Sequence, residues 1–186
     1  LPDFLDSSQN LIPLIETKKN SLPQILIVAA AVFIIDQLAK FWVVHYLPMG
    51  GTWSLTTGTA RLAQITFITN TGAAFGMFPQ LGTIFMVSAM VVIVGIVFFH
   101  RQLPLENGWV RLSLGLQLGG AMGNLFDRLT QGYVVDFIDI GFWPIFNIAD
   151  VSIMVGVSTL TYYFWCQENT LDYQELSGIS EGKNNE

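Results

Sequence analysis

A mainly α-helical membrane protein, built as a bundle of four transmembrane helices, is the fold class that two features of this 186-residue sequence predict. The first is composition. Hydrophobic residues make up 52% of the chain and charged residues only 12%, about half the charged share of a soluble domain, and the mean hydropathy is +0.51. A soluble fold of this length has too little interior to hide so much apolar surface. The second feature is the grouping of those residues into four runs, at about 25–47, 81–99, 109–126 and 148–166. Each is close to the roughly 20 residues that a helix needs to cross about 30 Å of hydrocarbon.

Each run carries its own helix signals. The first is apolar except for Asp36, Gln37 and Lys40, and Pro23 stands just ahead of it, a residue suited to a first helical turn. The second has no charge at all. The third contains Gly115, Gly119 and Gly123, whose spacing of four lines them along one helix face and predicts a close contact with a neighbouring helix. The fourth follows Pro144 and ends in Tyr162, Tyr163, Phe164 and Trp165, an aromatic cluster suited to the membrane interface.

Four spans place both termini on one side. Lys18, Lys19, Arg101, Arg111 and Lys183 fall on that side and only Arg61 and Arg128 on the other, so the positive-inside rule makes the termini cytoplasmic. Residues 1–22 are too polar for a signal peptide and read as a flexible cytoplasmic tail; residues 167–186 read as the cytoplasmic C-terminal tail, of which 171–186, with Gly, Ser, Asn and Glu, read as flexible. The unit between them, 23–166, has a long outer segment at 48–80. Within it Arg61 to Thr69 alternates apolar with polar residues, the signature of a short strand, and the small or apolar run Asn70 to Gly76 suggests order against the membrane surface.

Charge and cysteine content narrow the function. Fourteen acidic against eight basic residues give a net charge of −6, which argues against nucleic acid as a partner. With Cys166 as the sole cysteine, and His45 and His100 far apart, neither an intrachain disulfide nor a soft-ligand metal site is expected, and no cofactor is. What stands out is the stretch 124–150, NLFDRLTQGYVVDFIDIGFWPIFNIAD, with Asp127, Asp136, Asp139 and Asp150 in apolar surroundings beside a single arginine, Arg128. Ionisable groups at membrane depth are costly and mark a site by default. Asp127 would end the third helix and Asp150 would lie in the first turn of the fourth, so topology brings the acids toward one outer interface. Two carboxylates a few ångströms apart share a proton, one serving as base on a water and the other as donor to a carbonyl oxygen. That is the chemistry of an aspartic peptidase.

Plainer readings exist for each residue. Asn147 and Asp150, three apart, fit a helix cap, and that role is compatible with catalysis. Asp127 beside Arg128 fits a structural ion pair, Asp139 fits a residue facing water, and Asp36 with Lys40 fits an i,i+4 pair inside the first span. Acids beside a glycine-striped bundle also describe proton-coupled transporters, and a non-catalytic membrane scaffold would use them as ion pairs and caps. Against the transporter, only Asp36 lies well inside a span.

Five blocks in order, DQLAK (36–40), NTGAAFG (70–76), GGAMGNLFDR (119–128), VVDF (134–137) and FNIAD (146–150), closely resemble the motifs of lipoprotein signal peptidase, or signal peptidase II. The resemblance covers about 25–166. It implies a four-helix aspartic peptidase of the bacterial inner membrane, which cuts diacylglyceryl-modified prolipoproteins before the lipidated cysteine. It further implies a small extracytoplasmic sheet and flap over a site near the outer interface, with membrane lipid and globomycin-type inhibitors as further partners. A monomer is expected. By the same resemblance, Asp136 and Asp150 match the catalytic dyad. Asn70 and Gly72, Asn124, Arg128 and Asn147 match substrate-binding positions, while Asp36, Lys40 and Asp127 match structural support. The stretch between the two dyad aspartates is a few residues shorter than is common in that family.

Overall fold

The computed structural model of the chain describes residues 21–54, 63–72 and 81–183. Four long helices follow the four apolar runs: α1, Leu22–Tyr46; α2, Leu81–Phe99; α3, Gly108–Gln131; and α4, Ile148–Lys183. Pro23 occupies the first turn of α1, where its missing N–H would have had no helical partner anyway. Asn107 caps α3, its side chain accepting the Trp109 N–H at 2.8 Å. The same helix ends on Gly132, whose φ of 81° lets its N–H return to the Arg128 carbonyl at 3.1 Å, a left-handed stop that favours glycine.

One expectation fails at the C-terminal end. The segment 171–186, read as a flexible tail, is helical as far as Lys183. Residues 167–177 contain neither proline nor glycine, and polarity alone does not break a helix whose backbone is otherwise unobstructed. Residues 1–20, Arg61, and Ala73 to Gly76 of the anticipated flap lie outside the described residues.

Helix α3 is the hub, packing on α1, α2 and α4. Its glycine stripe makes this possible. A Cβ at Gly115 would come within 2.6 Å of Val28 Cβ, and one at Gly119 within 2.7 Å of Val32 Cβ, so α1 and α3 meet closer than larger side chains allow. Around that seam Ile25, Ala29, Val110, Leu114 and Leu118 form one apolar cluster. A second cluster, Val43 with Phe67, Val135 and Phe137, fixes a small sheet to the end of α1.

That sheet is antiparallel, in the order β1 (Thr52–Ser54), β2 (Gln64–Asn70), β3 (Val134–Asp139). The alternating pattern foretold β2, three residues later than read; β1 and β3 carry no such alternation. β3 is buried on both faces over Val134 to Phe137, with Val135 and Phe137 packed against α1 and Asp136 on the face toward the site. Asn70 pairs with Val134 and Ile68 with Asp136, with a register shift between Ile65 and Ile68. The chain then returns through a bridge between Ile138 and Phe146 to start α4.

The exterior is inverted relative to a soluble protein. Phe98 is 73% and Phe41 69% exposed, whereas Asp36 and Asp127 are completely buried. A large apolar surface of this kind needs lipid to cover it. By length and hydropathy, Leu22–Tyr46 and Gly82–Phe99 qualify as membrane spans among the described residues. Helix α3 is less apolar because it carries Gln117, Asn124 and Asp127 into the interior.

Candidate active site

A buried charge cluster underlies the site. Asp36 and Lys40, one turn apart on α1, make the ion pair that their spacing predicted, at 2.7 Å. The same ammonium pairs with Asp127 of α3, also at 2.7 Å. Asp127 is further held by the Gln37 amide at 2.9 Å, and Asp36 accepts the Ala149 N–H of α4 at 3.0 Å. Gly123 leaves room for this cluster, since a Cβ there would fall 2.7 Å from Asp36 Oδ2. A carboxylate and an ammonium withdrawn from water are sustained only by such complete pairing.

Asp127 therefore does not pair with Arg128. Consecutive helical residues point about 100° apart, which sends Asp127 inward and Arg128 into a cleft beside α2. There the Arg128 guanidinium lies 5.7 Å from the centre of the Phe85 ring and donates to the Asn124 carbonyl at 3.2 Å. Its Nε is buried with no hydrogen-bond partner among the described residues.

Above the cluster stand two carboxyls, Asp136 on β3 and Asp150 in the first turn of α4. Asp136 is 2% exposed. It accepts Asn70 Nδ2 at 2.9 Å on one oxygen and Asn147 Nδ2 at 2.6 Å on the other. Asp150 accepts Asn124 Nδ2 at 2.7 Å on Oδ1 and the Asn147 N–H at 3.3 Å on Oδ2. In return Asn147 Oδ1 accepts the Asp150 N–H at 3.0 Å, so these two residues form the reciprocal cap their spacing suggested. Asn147 also donates to Asn124 Oδ1 at 3.2 Å. The two asparagines thus link the carboxyls, and the charge of Asp150 acts on Asp136.

Burial pushes the Asp136 carboxyl up to about 6, and the charge of Asp150 adds to the rise against the opposing effects of Asn70, Asn147 and Lys40. A proton is thereby retained where a surface aspartate would have lost it. A cavity of about 280 Å³ opens beside the pair, bordered by Asn70, Phe85, Ser88, Asn124, Arg128 and Asp150. Two neighbouring carboxyls, one of raised proton affinity and the other bordering a cleft, with neutral amides around them, can activate a water against a carbonyl group.

The structure thus gathers Asn70, Asn124, Asn147, Asp136 and Asp150, with Arg128 at the cleft and the Asp36, Lys40 and Asp127 cluster beneath. Gly72 takes part indirectly. Its φ is 147° and its N–H donates to Asn70 Oδ1 at 3.0 Å, leaving the other end of that amide for Asp136. Asp139 stays apart, accepting Thr66 Oγ1 at 3.2 Å and the Gly141 N–H at 2.9 Å. Gln37 is the participant the sequence reading missed, since a glutamine beside Asp36 in an apolar run gives no sign of a partner 90 residues away.

The family profile described as signal peptidase (SPase) II matches residues 28–166. The chain belongs to the signal peptidase II family. A lipoprotein signal peptidase of Halothermothrix orenii is 37% identical over 148 residues, covering 80% of this chain and 99% of its own. Another, from Mycobacterium leprae, is 36% identical over 171 residues, covering 86% and 83%. Among solved structures, a bacterial membrane enzyme determined by the in meso method at 2.3 Å resolution matches with a TM-score of 0.71 at 28% identity, covering 80% of this chain and 92% of that one. Signal peptidase II is an aspartic peptidase family, and the carboxyl pair and its amides all fall inside the matched region.

Proposed function

We propose that this membrane enzyme removes the signal peptide of diacylglyceryl-modified prolipoproteins, and that Asp136 and Asp150 are its catalytic dyad. The observation that carries the dyad is the pairing of a buried carboxyl with a raised proton affinity, Asp136, with a second carboxyl linked to it through Asn147 and Asn124. A water lodged between them loses a proton to the ionised carboxylate as its oxygen attacks the peptide carbonyl carbon. The protonated partner gives its proton to the carbonyl oxygen. Collapse of the tetrahedral intermediate breaks the C–N bond, and the proton taken from water goes to the leaving nitrogen. Asn70, Asn124 and Asn147, neutral donors, orient the carboxyls and the peptide without competing for that proton.

In this reading the bundle crosses the bacterial inner membrane four times, at about 25–47, 81–99, 109–126 and 148–166, with both termini cytoplasmic and the dyad near the outer interface. Residues 23–166 form the peptidase unit and act as a monomer. Acyl chains of the substrate and of membrane lipid enter between α2 and α3, Arg128 meets polar groups at the mouth, and globomycin-type inhibitors occupy the same cleft. The transporter reading has no support, because the acids gather at one end of the bundle and the family is one of peptidases.

Cleavage of a purified diacylglyceryl-modified prolipoprotein tests the assignment. Asp136→Asn and Asp150→Asn are expected to fold in detergent and release no signal peptide, whereas Asp127→Asn is expected to retain activity. A folded, inactive Asp127→Asn beside an active Asp136→Asn would move the dyad.

A further inference from the structure

The three asparagines around the carboxyls are not free to turn, and the reason lies outside the dyad. An amide presents an acceptor at one end and donors at the other, and which end faces a carboxylate depends on what holds the opposite end. Gly72 N–H holds Asn70 Oδ1, and the Asp150 N–H, at the start of α4, holds Asn147 Oδ1. Backbone groups therefore aim both of those amides at Asp136. Asn124 differs. Its Oδ1 faces the Lys40 ammonium at 3.1 Å, with Asn147 Nδ2 at 3.2 Å as a second donor.

An ammonium can only donate. Lys40 thus forces the oxygen of Asn124 toward α1 and its NH2 toward Asp150, which it meets at 2.7 Å. Lys40 is itself immobile, since its two ion pairs, to Asp36 and Asp127, are both 2.7 Å and it is 3% exposed. The charged groups facing this region are Asp36 from α1, Asp127 and Arg128 from α3, Asp136 from β3 and Asp150 from α4; α2 contributes none. We propose that Lys40 is a positioning residue of the peptidase reaction: through Asn124 it fixes a hydrogen-bond donor on Asp150 and so holds that carboxyl where it activates the water.

The proposal rests on the dyad assignment above and separates from it experimentally. Lys40→Met alone strands two buried carboxylates. The double variant Lys40→Met/Asp127→Asn leaves only Asp36 so stranded: the buried cluster carries one positive and two negative groups in the wild type and one negative group in the variant, so its net charge is unchanged. Asp36 still accepts the Ala149 N–H. With a diacylglyceryl-modified prolipoprotein in detergent, the double variant is expected to keep KM within about threefold and to lose kcat by ten- to a hundredfold, the scale of a misaligned reacting group. Its pH–rate limb for ionisation of the catalytic base moves to higher pH, because a carboxylate that loses a donor binds its proton more tightly. Asp127→Asn alone, which leaves the ammonium on Asn124, keeps the wild-type limb and kcat within a few-fold.

A folded double variant with wild-type kcat and pH limb overturns the proposal. So does an Asp127→Asn single variant as slow as the double. If the double variant fails to fold, the limb is read on Asn124→Leu, which removes the same donor without touching the ion pairs; an unmoved limb there also overturns it. Loss of cleavage in Asp136→Asn and Asp150→Asn would meanwhile leave the dyad standing.

Discussion

A 2.6 Å hydrogen bond from Asn147 Nδ2 to Asp136 Oδ1 ties the start of α4 to strand β3. The same side chain caps α4 through its oxygen, at 3.0 Å from the Asp150 nitrogen, so one residue sets both the helix and the carboxyl. The two roles separate by substitution. Asn147→Ala loses both, and the lost cap costs about 1 kcal/mol of stability. Asn147→Ser restores a capping oxygen but is too short to reach Asp136. Thermal melts in detergent should show the serine variant close to wild type and the alanine variant lower, while cleavage by both falls by about tenfold or more, the loss expected for about 1.4 kcal/mol of transition-state stabilisation. Equal melts for the two variants would remove the cap from this account.

The Asp136 proton makes both stability and activity depend on pH. Its carboxyl is raised to about 6 in the folded protein, against about 3.9 in an unfolded chain. Between those values the native state holds a proton that the unfolded state has lost, so raising the pH favours unfolding there. Stability from this group is greatest below about pH 4, falls up to about pH 6 and is flat beyond. In Asp150→Asn the neighbouring negative charge is gone and the fall shifts to lower pH. Unfolding midpoints measured from pH 4 to 8 check the sign. With Asp136 as the acid of the proposed dyad, kcat/KM is expected to decline as pH rises through about 6, as that proton is lost.

Much of this arrangement was legible in the chain itself, for reasons that differ by residue. Runs of apolar residues gave α2 to the residue and α1, α3 and the start of α4 within a few, because length and hydropathy are what the bilayer constrains. The Asp36–Lys40 pair and the Asn147–Asp150 cap are local, three or four residues apart, and local geometry is what sequence spacing encodes. Asp127 shows the limit. Its neighbour in sequence was Arg128, but its partners are Lys40 and Gln37 on another helix, and helix-to-helix register has no signature in one sequence. β3 was hidden for a related reason: a strand covered on both faces shows no alternation. The helical continuation of α4 to Lys183 was masked by a composition that looks like a tail.

Gly123 and Gly95 provide a paired test of the inter-helix seam. A Cβ at Gly123 would sit 2.7 Å from Asp36 Oδ2, whereas one at Gly95 meets nothing within 4 Å. Gly123→Ala must push on a carboxylate already fixed by Lys40 and the Ala149 N–H, and overpacking of this kind costs about 1–3 kcal/mol. Gly95→Ala on lipid-facing α2 gains up to about 1 kcal/mol of helix propensity. Melting temperatures in one detergent should move in opposite directions. A neutral Gly123→Ala would mean that α1 and α3 are not in tight register at Asp36.

Arg128 is the cleft residue whose donors are least committed. Its Nη1 meets the Asn124 carbonyl at 3.2 Å, its Cζ lies over the Phe85 ring, and its buried Nε has no hydrogen-bond partner among the described residues. An unpaired buried donor is expensive unless a ligand completes it, and the cavity it borders is where a substrate carbonyl would arrive. Arg128→Lys keeps the positive charge near Asp136 and Asp150 but loses the planar fork and Nε. The expected result is a KM raised about tenfold, the value of one charge-assisted hydrogen bond, with kcat within about threefold, because the dyad and its amides are untouched. Arg128→Ala also removes the charge and should lower kcat as well. If instead Arg128→Lys leaves KM unchanged and lowers kcat, Nε does not bind the substrate in its ground state, and the guanidinium acts on the reacting carbonyl only as the transition state forms.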